Sequence, residues 1–166
     1  MGTDTTQQYF LEMLRNNNGI LHKVCRMYCY SVEDREDLYQ EMIMQVWKAF
    51  PKFRQESKIS TWIYRIALNT AISGYRKEQR SINTVLFEQD AIHAIYEEQD
   101  AEKNEKIKMM NEAIQHLTDV EKALIMLYLD DKSYEEMEEI LGMSQGNLRV
   151  KMNRIKEKLR KIMIKP

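Results

Sequence analysis

The C-terminal residues 142–166 contain the side chains whose types and spacing best suit chemistry, and that chemistry is the binding of a polyanion. They include eight Lys and Arg residues against a single Glu, a net charge of +7, in a chain whose net charge is −1. Apolar residues at four-and-three spacing predict a helix with one face in a protein core. The opposite face would present Arg149 and Asn153, which can each form two hydrogen bonds to a base edge, Arg to guanine and Asn to adenine. The alternative is a basic amphipathic helix in an ordinary bundle.

The residues before this helix predict the element that would position it. Ser133 and Glu136 have the spacing of a capping box, which begins a short helix over Tyr134–Leu141 that stops at Gly142. Ser144 can cap the longer basic helix that follows. This order is the helix-turn-helix pattern, whose second helix enters the DNA major groove. The candidate contacts to bases and phosphates are Ser144, Asn147, Arg149, Val150, Lys151, Asn153 and Arg154.

A second basic segment spans residues 48–80, where eight Lys and Arg residues oppose two Glu, a net charge of +6. Acidic segments lie on both sides of it. Two separate basic segments in a near-neutral chain indicate two surfaces that could each bind a polyanion. The charges alone are equally consistent with two solvated helix faces.

Helical periodicity predicts the elements of the N-terminal half. The run Asn16–Gly19 is a helix-stop signal, so a helix is expected on each side of it. Ser31 can cap a third helix, which Pro51 cannot continue. The expected elements are helices over 7–15, 20–30 and from Ser31 to about Phe50, a polar loop over 52–58, and a helix that begins at Ser60 or Thr61.

In the C-terminal half, periodicity resumes over Met109–Leu117, and Thr118 with Glu121 forms another capping box. The apolar face of the helix that follows is predicted to hold Leu124, Ile125, Leu127, Tyr128 and Leu129. With five Gly and two Pro in 166 residues, the chain has little turn chemistry for a sheet. We therefore predict an all-α fold of two small helical domains, over 8–80 and 109–166, joined by an acidic linker over 81–108.

The composition also excludes several classes of function. Three His residues, with neither a Gly-rich phosphate loop nor a cluster of metal ligands, indicate that the chain is not an enzyme and uses no cofactor, metal or small-molecule substrate. No apolar run approaches the roughly 18 residues of a membrane span, so a cytoplasmic protein without direct membrane insertion is expected. Cys25 and Cys29 are predicted to be packing residues, because the two thiols and His22 are too few for a known metal site.

Several runs of residues form recognisable motifs. In the first half they are the run from Asp34 to Glu41 (DREDLYQE), the run from Val46 to Phe50 (VWKAF) and the run from Thr61 to Asn69 (TWIYRIALN). In the second half they are Leu117-Thr118, SYEEM at 133–137, ILGMS at 140–144 and RIKEKL at 154–159. These motifs resemble those of the extracytoplasmic-function (ECF) group of the sigma-70 family of bacterial RNA polymerase sigma factors. The first two are similar to the region-2 helix that binds core polymerase, the third is similar to the promoter-melting segment, and those of the second half resemble region 4.

The resemblance implies a non-catalytic protein that binds core RNA polymerase, recognises the −35 and −10 promoter elements and nucleates melting. It implies that Asp34, Asp37, Gln40 and Glu41 dock on the clamp helices of the largest polymerase subunit. The loop Lys52–Ser60 would receive a flipped base of the −10 element. For that element the implied contacts are Arg54, Ser57, Lys58, Arg65 and Asn69, with Arg76 and Lys77 on phosphates. Trp47 and Trp62 could stack on bases, but their places in apolar stripes favour core packing.

The family also implies an anti-sigma partner that holds the free protein. One departure from the family pattern is Glu138, where a small residue is usual, so either Glu138 points outward or the helix crossing is altered. Others are Asn147, where Thr is common, and Val150, where a polar residue is more usual. The alternative function is a sigma-like mimic that sequesters an anti-sigma factor without binding DNA, although such a mimic has no need of two basic segments.

Overall fold

The computed structural model describes residues 2–73 and 101–164, and every regular element in these two ranges is a helix. The chain divides into two compact units, Met1–Ile82 and Asn83–Pro166. The predicted linker 81–108 lies for the most part outside the described residues. Among the helices of the described ranges, none is long and apolar enough to cross a membrane.

The first unit packs three α-helices against one another: α1 (Gly2–Tyr28), α2 (Val32–Ala49) and α3 (Ile59–Ile72). A 3₁₀ turn, Phe50–Lys52, follows α2 and contains Pro51, which cannot continue the helix. Apolar positions at helical spacing in all three helices form the core, which removes them from water and supplies most of the stabilisation. Fully buried members are Leu21, Val24, Tyr28, Leu38, Met42, Val46, Ile63, Tyr64 and Ala67.

The predicted break of α1 at Asn16–Gly19 is wrong, because the helix continues through this run without interruption. Asn side chains disfavour helix interiors chiefly because they compete for backbone hydrogen bonds. In this protein the side chains of Asn17 and Asn18 form hydrogen bonds while the helix continues. The Asn17 amide donates to the Met13 carbonyl at 2.9 Å, and Asn18 contacts His22 and accepts from the Tyr39 hydroxyl of α2.

The ends of α2 agree with the prediction. Ser31 is its N-cap, and the Ser31 hydroxyl accepts a 3.1 Å hydrogen bond from the Asp34 backbone N–H. The helix α3 begins at Ile59, one or two residues before the predicted start at Ser60 or Thr61, with Lys58 as its N-cap.

The second unit contains α4 (Ala101–Gln115), α5 (Asp119–Leu129), α6 (Tyr134–Leu141) and α7 (Gln145–Ile164). Each of the first three packs against α7. The stripe predicted for α7 is Leu148, Met152, Ile155, Leu159 and Ile162; the first four are buried and Ile162 is half-buried. Three helices therefore pack against the long basic helix, whose apolar face is buried. Its polar face is exposed to solvent.

Both predicted capping boxes are confirmed. Thr118 caps α5 with Glu121, and Ser133 caps α6 with Glu136. The helix α6 spans the predicted residues and ends at Gly142, whose φ of +71° is left-handed and suits glycine.

The predicted apolar face of α5 is correct for Leu124, Ile125 and Leu127, which are buried. It is wrong for Tyr128 and Leu129, which are exposed at the C-terminal end of α5. Met126 is buried in their place.

Candidate nucleic-acid interfaces

The start of α7 has the cap that was predicted for it. The Ser144 hydroxyl accepts a 3.3 Å hydrogen bond from the Asn147 N–H, and the Ser144 carbonyl accepts from the Leu148 N–H at 2.9 Å. The amide groups of a first helical turn and the positive end of the helix dipole favour a phosphate at such a position. Ser144 and Asn147 are both exposed.

The polar face of α7 points away from the core. Because the stripe of α7 that begins at Leu148 is buried, the residues about 180° around the helix must face solvent. Lys151 lies on the flank and is half-buried, with its head able to reach solvent. Exposed on this face are Asn147, Arg149, Val150, Asn153 and Arg154, which with Ser144 and Lys151 complete the predicted −35 set.

The helix α6 contacts this face through two side-chain pairs. The guanidinium carbon of Arg149 lies 4.9 Å from the centroid of the Tyr134 ring. The Gln145 side-chain amide donates a 3.1 Å hydrogen bond to the Glu138 carboxylate. Glu138 is exposed, so of the two alternatives raised by its departure from the family pattern the outward one is correct.

Tyr134 and Gln145 were not among the predicted site residues. Their spacing along the sequence carries no signal of these pairs, because each pair depends on how α6 crosses α7. The one hint was Gln145 itself, a Gln at the first position of a predicted recognition helix.

Lysines further along α7 contact α5. The Lys158 ammonium forms an ion pair and hydrogen bond of 3.0 Å with Glu121, and the Lys156 ammonium lies 4.3 Å from the centroid of the Tyr128 ring. These contacts fix the C-terminal half of α7 on the unit. The first half of the helix then carries the outward polar residues.

In the first unit, the loop between α2 and α3 and the helix α3 contain several polar side chains and an aromatic pair. The rings of Phe53 and Trp62 lie 4.6 Å apart between centroids. Gln55 has a left-handed φ of +57°, which is uncommon for residues other than glycine. Arg54 and Lys58 are exposed in this loop, Arg65 and Asn69 are exposed on α3, and Ser57 is half-buried.

The predicted core packing of the two tryptophans is only partly correct. Trp47 packs edge-on against Phe10 at 4.7 Å between centroids and stacks near Phe50, yet 42% of its surface is exposed. Trp62 is half-buried against Phe53. Each indole thus packs against aromatic neighbours and is partly exposed.

The acidic-polar face predicted on α2 is present but uneven. Asp37 and Gln40 are exposed, whereas Asp34 and Glu41 are half-buried, and Glu41 accepts a 2.8 Å hydrogen bond from the Gln45 amide. Glu41 also lines an open groove of about 600 Å³ between α2 and α3, together with Asn69. One member of the predicted polymerase set and one of the predicted −10 set therefore meet in this groove.

The prediction that Cys25 and Cys29 are packing residues is confirmed, since both are buried free thiols. The Cys25 thiol faces the Arg35 carbonyl at 3.5 Å. Burial, with Cys29 nearby, raises the pKa of the Cys25 thiol to about 12, against a smaller lowering by Arg35. The positions of Arg76 and Lys77, the predicted phosphate contacts, lie outside the described residues.

Two family models match this chain, each over a different range of residues. Residues 13–81 match the family model of sigma-70 region 2, and residues 107–159 match that of sigma-70 region 4. The chain is 27% identical over 166 residues to RNA polymerase sigma factor YlaC of Bacillus subtilis, a match that covers 98% of this chain and 91% of that one. It is 30% identical over 139 residues to the ECF RNA polymerase sigma-E factor of Haemophilus influenzae, or 76% of this chain and 73% of that one.

The fold is also that of a solved structure. The sigma factor RpoE, in a co-crystal structure with the anti-sigma factor NepR from Bartonella quintana, superposes with a TM-score of 0.68. The match is 24% identical in sequence and covers 95% of both chains.

Proposed function

Since this chain belongs to the ECF group of the sigma-70 family, we propose that it binds core RNA polymerase and directs promoter-specific initiation of transcription. It recognises the −35 and −10 elements and nucleates melting, while the polymerase performs the chemistry. The observation that carries this proposal is the exposed polar face of α7, capped by Ser144 and supported by α6, in the same chain as a region-2 unit. A protein with this function acts in the cytoplasm.

For the −35 element, α7 enters the major groove with its first turns. Arg149 and Asn153 are the base-reading candidates, because both are exposed and both side chains can form two hydrogen bonds to a base. Ser144, Asn147 and Lys151 hold the helix on phosphates. Val150, 49% exposed, is suited to an apolar contact such as the methyl group of thymine. Arg154 extends the basic face beyond them.

For the −10 element, the loop between α2 and α3 receives a base that has left the stack. A flipped base needs a flat apolar surface and hydrogen-bonding groups around it. The Phe53–Trp62 pair supplies the first, and the surrounding polar side chains supply the second. The residues assigned to this element are Arg54, Ser57, Lys58, Arg65 and Asn69, with Arg76 and Lys77 on the phosphates.

For core polymerase, the exposed face of α2 is the docking surface. Asp37 and Gln40 are its accessible members, and Asp34 and Glu41 lie at its margin. A row of solvated carboxylates provides electrostatic complementarity to a basic partner and raises the rate of association. An anti-sigma factor is the proposed inhibitor of the free protein, because the superposed RpoE was solved with one.

The test is reconstitution of the purified protein with sigma-free core polymerase of its own host. Transcripts made on fragmented host DNA are then sequenced. The expected result is a set of discrete start sites that share two short elements with the spacing of −10 and −35 boxes. A variant with Arg54, Lys58 and Arg65 all changed to Gln should keep core binding and lose initiation.

The matched control is Glu139→Gln, which changes an exposed charge on α6 and should initiate as the wild type does. Core binding without initiation by the wild-type chain would favour the mimic that only sequesters an anti-sigma factor. Neither binding nor initiation would contradict the proposal as a whole.

A further inference from the structure

The two pairs that join α6 to α7 occupy one continuous strip. Tyr134 and Glu138 are four residues apart on α6, and Gln145 and Arg149 are four residues apart on α7, so each couple shares one face of its helix. Tyr134 contacts Arg149, and Glu138 contacts Gln145. The side chains at the start of α7 are therefore held by the preceding helix.

The bond between Glu138 and Gln145 fixes the orientation of an amide. A carboxylate can only accept hydrogen bonds, so the amide of Gln145 must turn its nitrogen toward Glu138, at 3.1 Å. The amide oxygen and the second N–H of Gln145 then remain for another partner. One acceptor beside one donor is the pattern that a Gln side chain uses to bind the N6 and N7 atoms of adenine in the major groove.

We propose that Gln145 reads an adenine in the −35 element and that Glu138 is the positioning residue that fixes the direction of its amide. The inference rests on the proposed function, in which α7 binds that element. Gln145 is the first residue of α7, and the N-terminal residues of a recognition helix are those that reach base edges.

Glu138 has a second effect, of opposite sign. Glu138 is exposed and lies beside the start of α7, where phosphates are expected, and like charges repel. The Glu138 carboxylate thus lowers the affinity of the protein for DNA of any sequence, while it increases the selectivity of Gln145 for adenine. Replacement by Gln removes the repulsion and lets the amide of Gln145 face either way. In the reversed orientation both N–H groups point outward and suit guanine, whose O6 and N7 atoms accept.

The experiment uses holoenzyme reconstituted with core polymerase and a promoter library randomised through the −35 element. Transcripts from the wild type, Gln145→Ala, Glu138→Gln and the control Glu139→Gln are sequenced to give a base preference at each position. In the wild type, adenine is preferred at one position. In Gln145→Ala, this preference falls by about tenfold there, and the other positions keep theirs.

Glu138→Gln should lower the preference for adenine at the same position and increase the preference for guanine there. It should also increase the fraction of promoter DNA that stays bound to the holoenzyme at high salt. A residue that only supported the fold would weaken every position together. Unchanged preference at all positions in Gln145→Ala would overturn the proposal, as would a Glu138→Gln profile identical to that of Glu139→Gln. If the wild-type holoenzyme started no transcript on any library member, the proposed function itself would fail first.

Discussion

The Lys158 ammonium lies 3.0 Å from the Glu121 carboxylate and so joins the C-terminal half of α7 to the first turn of α5. The same carboxylate accepts a 2.8 Å hydrogen bond from the Thr118 backbone N–H as part of the capping box. Burial alone would raise the pKa of Glu121. The hydrogen bonds from Thr118 and the ion pair with Lys158 outweigh it and hold that pKa below its ordinary value of 4.5.

This relationship predicts how the stability of the second unit depends on pH. A carboxyl whose pKa is lowered by folding stabilises the folded state above its unfolded pKa, and the stabilisation is lost as pH falls through the folded pKa. Glu121→Gln should therefore cost about 0.5–1 kcal/mol at pH 7, and the difference from wild type should shrink as the pH falls below 4.5 and through the lowered pKa of the folded state. Hydrogen exchange of α5 and α7 in the full chain measures it. A difference that stays constant down to about pH 3 would contradict the assignment.

Tyr134 is predicted to position Arg149. Tyr134→Leu removes the aromatic ring under the guanidinium, worth about 0.5–1 kcal/mol at such a partly exposed site, and should lower base selectivity at the Arg149 position by roughly two- to fivefold. Tyr134→Phe keeps the ring and should keep the selectivity. Preferences measured on a −35 library distinguish the two variants. Equal losses of base selectivity in Tyr134→Leu and Tyr134→Phe would show that the effect comes from the Tyr134 hydroxyl instead.

Gly142 sets the turn of the helix-turn-helix. Its φ is +71°, a backbone conformation that alanine disfavours, and no atom lies within 4 Å of a Cβ placed there. Gly142→Ala should therefore cost backbone conformational energy but cause no steric clash. We expect the second unit to lose about 1–2 kcal/mol in its free energy of unfolding. Gly146→Ala also has open space around its Cβ and lies within α7, where alanine is favoured, so it serves as the matched control. Circular dichroism during chemical denaturation reports the difference.

The exposed face of α2 is predicted to affect the rate of polymerase binding. Asp37→Asn removes one solvated charge and should slow association with core polymerase severalfold at low salt, with little change in dissociation. Glu33→Gln, also exposed but on the first turn of α2, is the comparison. Stopped-flow association at two salt concentrations measures both. A change confined to the dissociation rate would show that Asp37 makes a desolvated contact instead.

Local chemistry was enough to predict much of the second unit. The capping boxes at Thr118 and Ser133, the stop at Gly142 and the apolar stripe of α7 each arise from residues a few positions apart. Interactions of this range appear in the sequence as characteristic spacings of residue types, so the spacing by itself predicts them.

The predictions that were wrong or incomplete concern features that depend on how helices pack. α1 continues through Asn16–Gly19, and one of the contacts that accommodate this run joins Asn18 to Tyr39 of another helix, 21 positions along the chain. The pairing of Glu138 with Gln145 depends on a helix crossing, and the exposure of Tyr128 depends on where α5 ends. Such contacts are set by tertiary packing, which overrides local propensity.

The buried cysteines make the natural chain convenient for site-specific labelling. Burial raises the pKa of the Cys25 thiol to about 12, so the thiol is protonated at pH 7, whereas thiol reagents react with the thiolate. Cys29 is 5% exposed and is shielded by the same packing of α1 on its neighbours. A cysteine introduced on an exposed surface would then react with a maleimide dye in the folded protein while both native thiols stay unmodified. Fluorescence distances between the two units can therefore be measured without first replacing either residue.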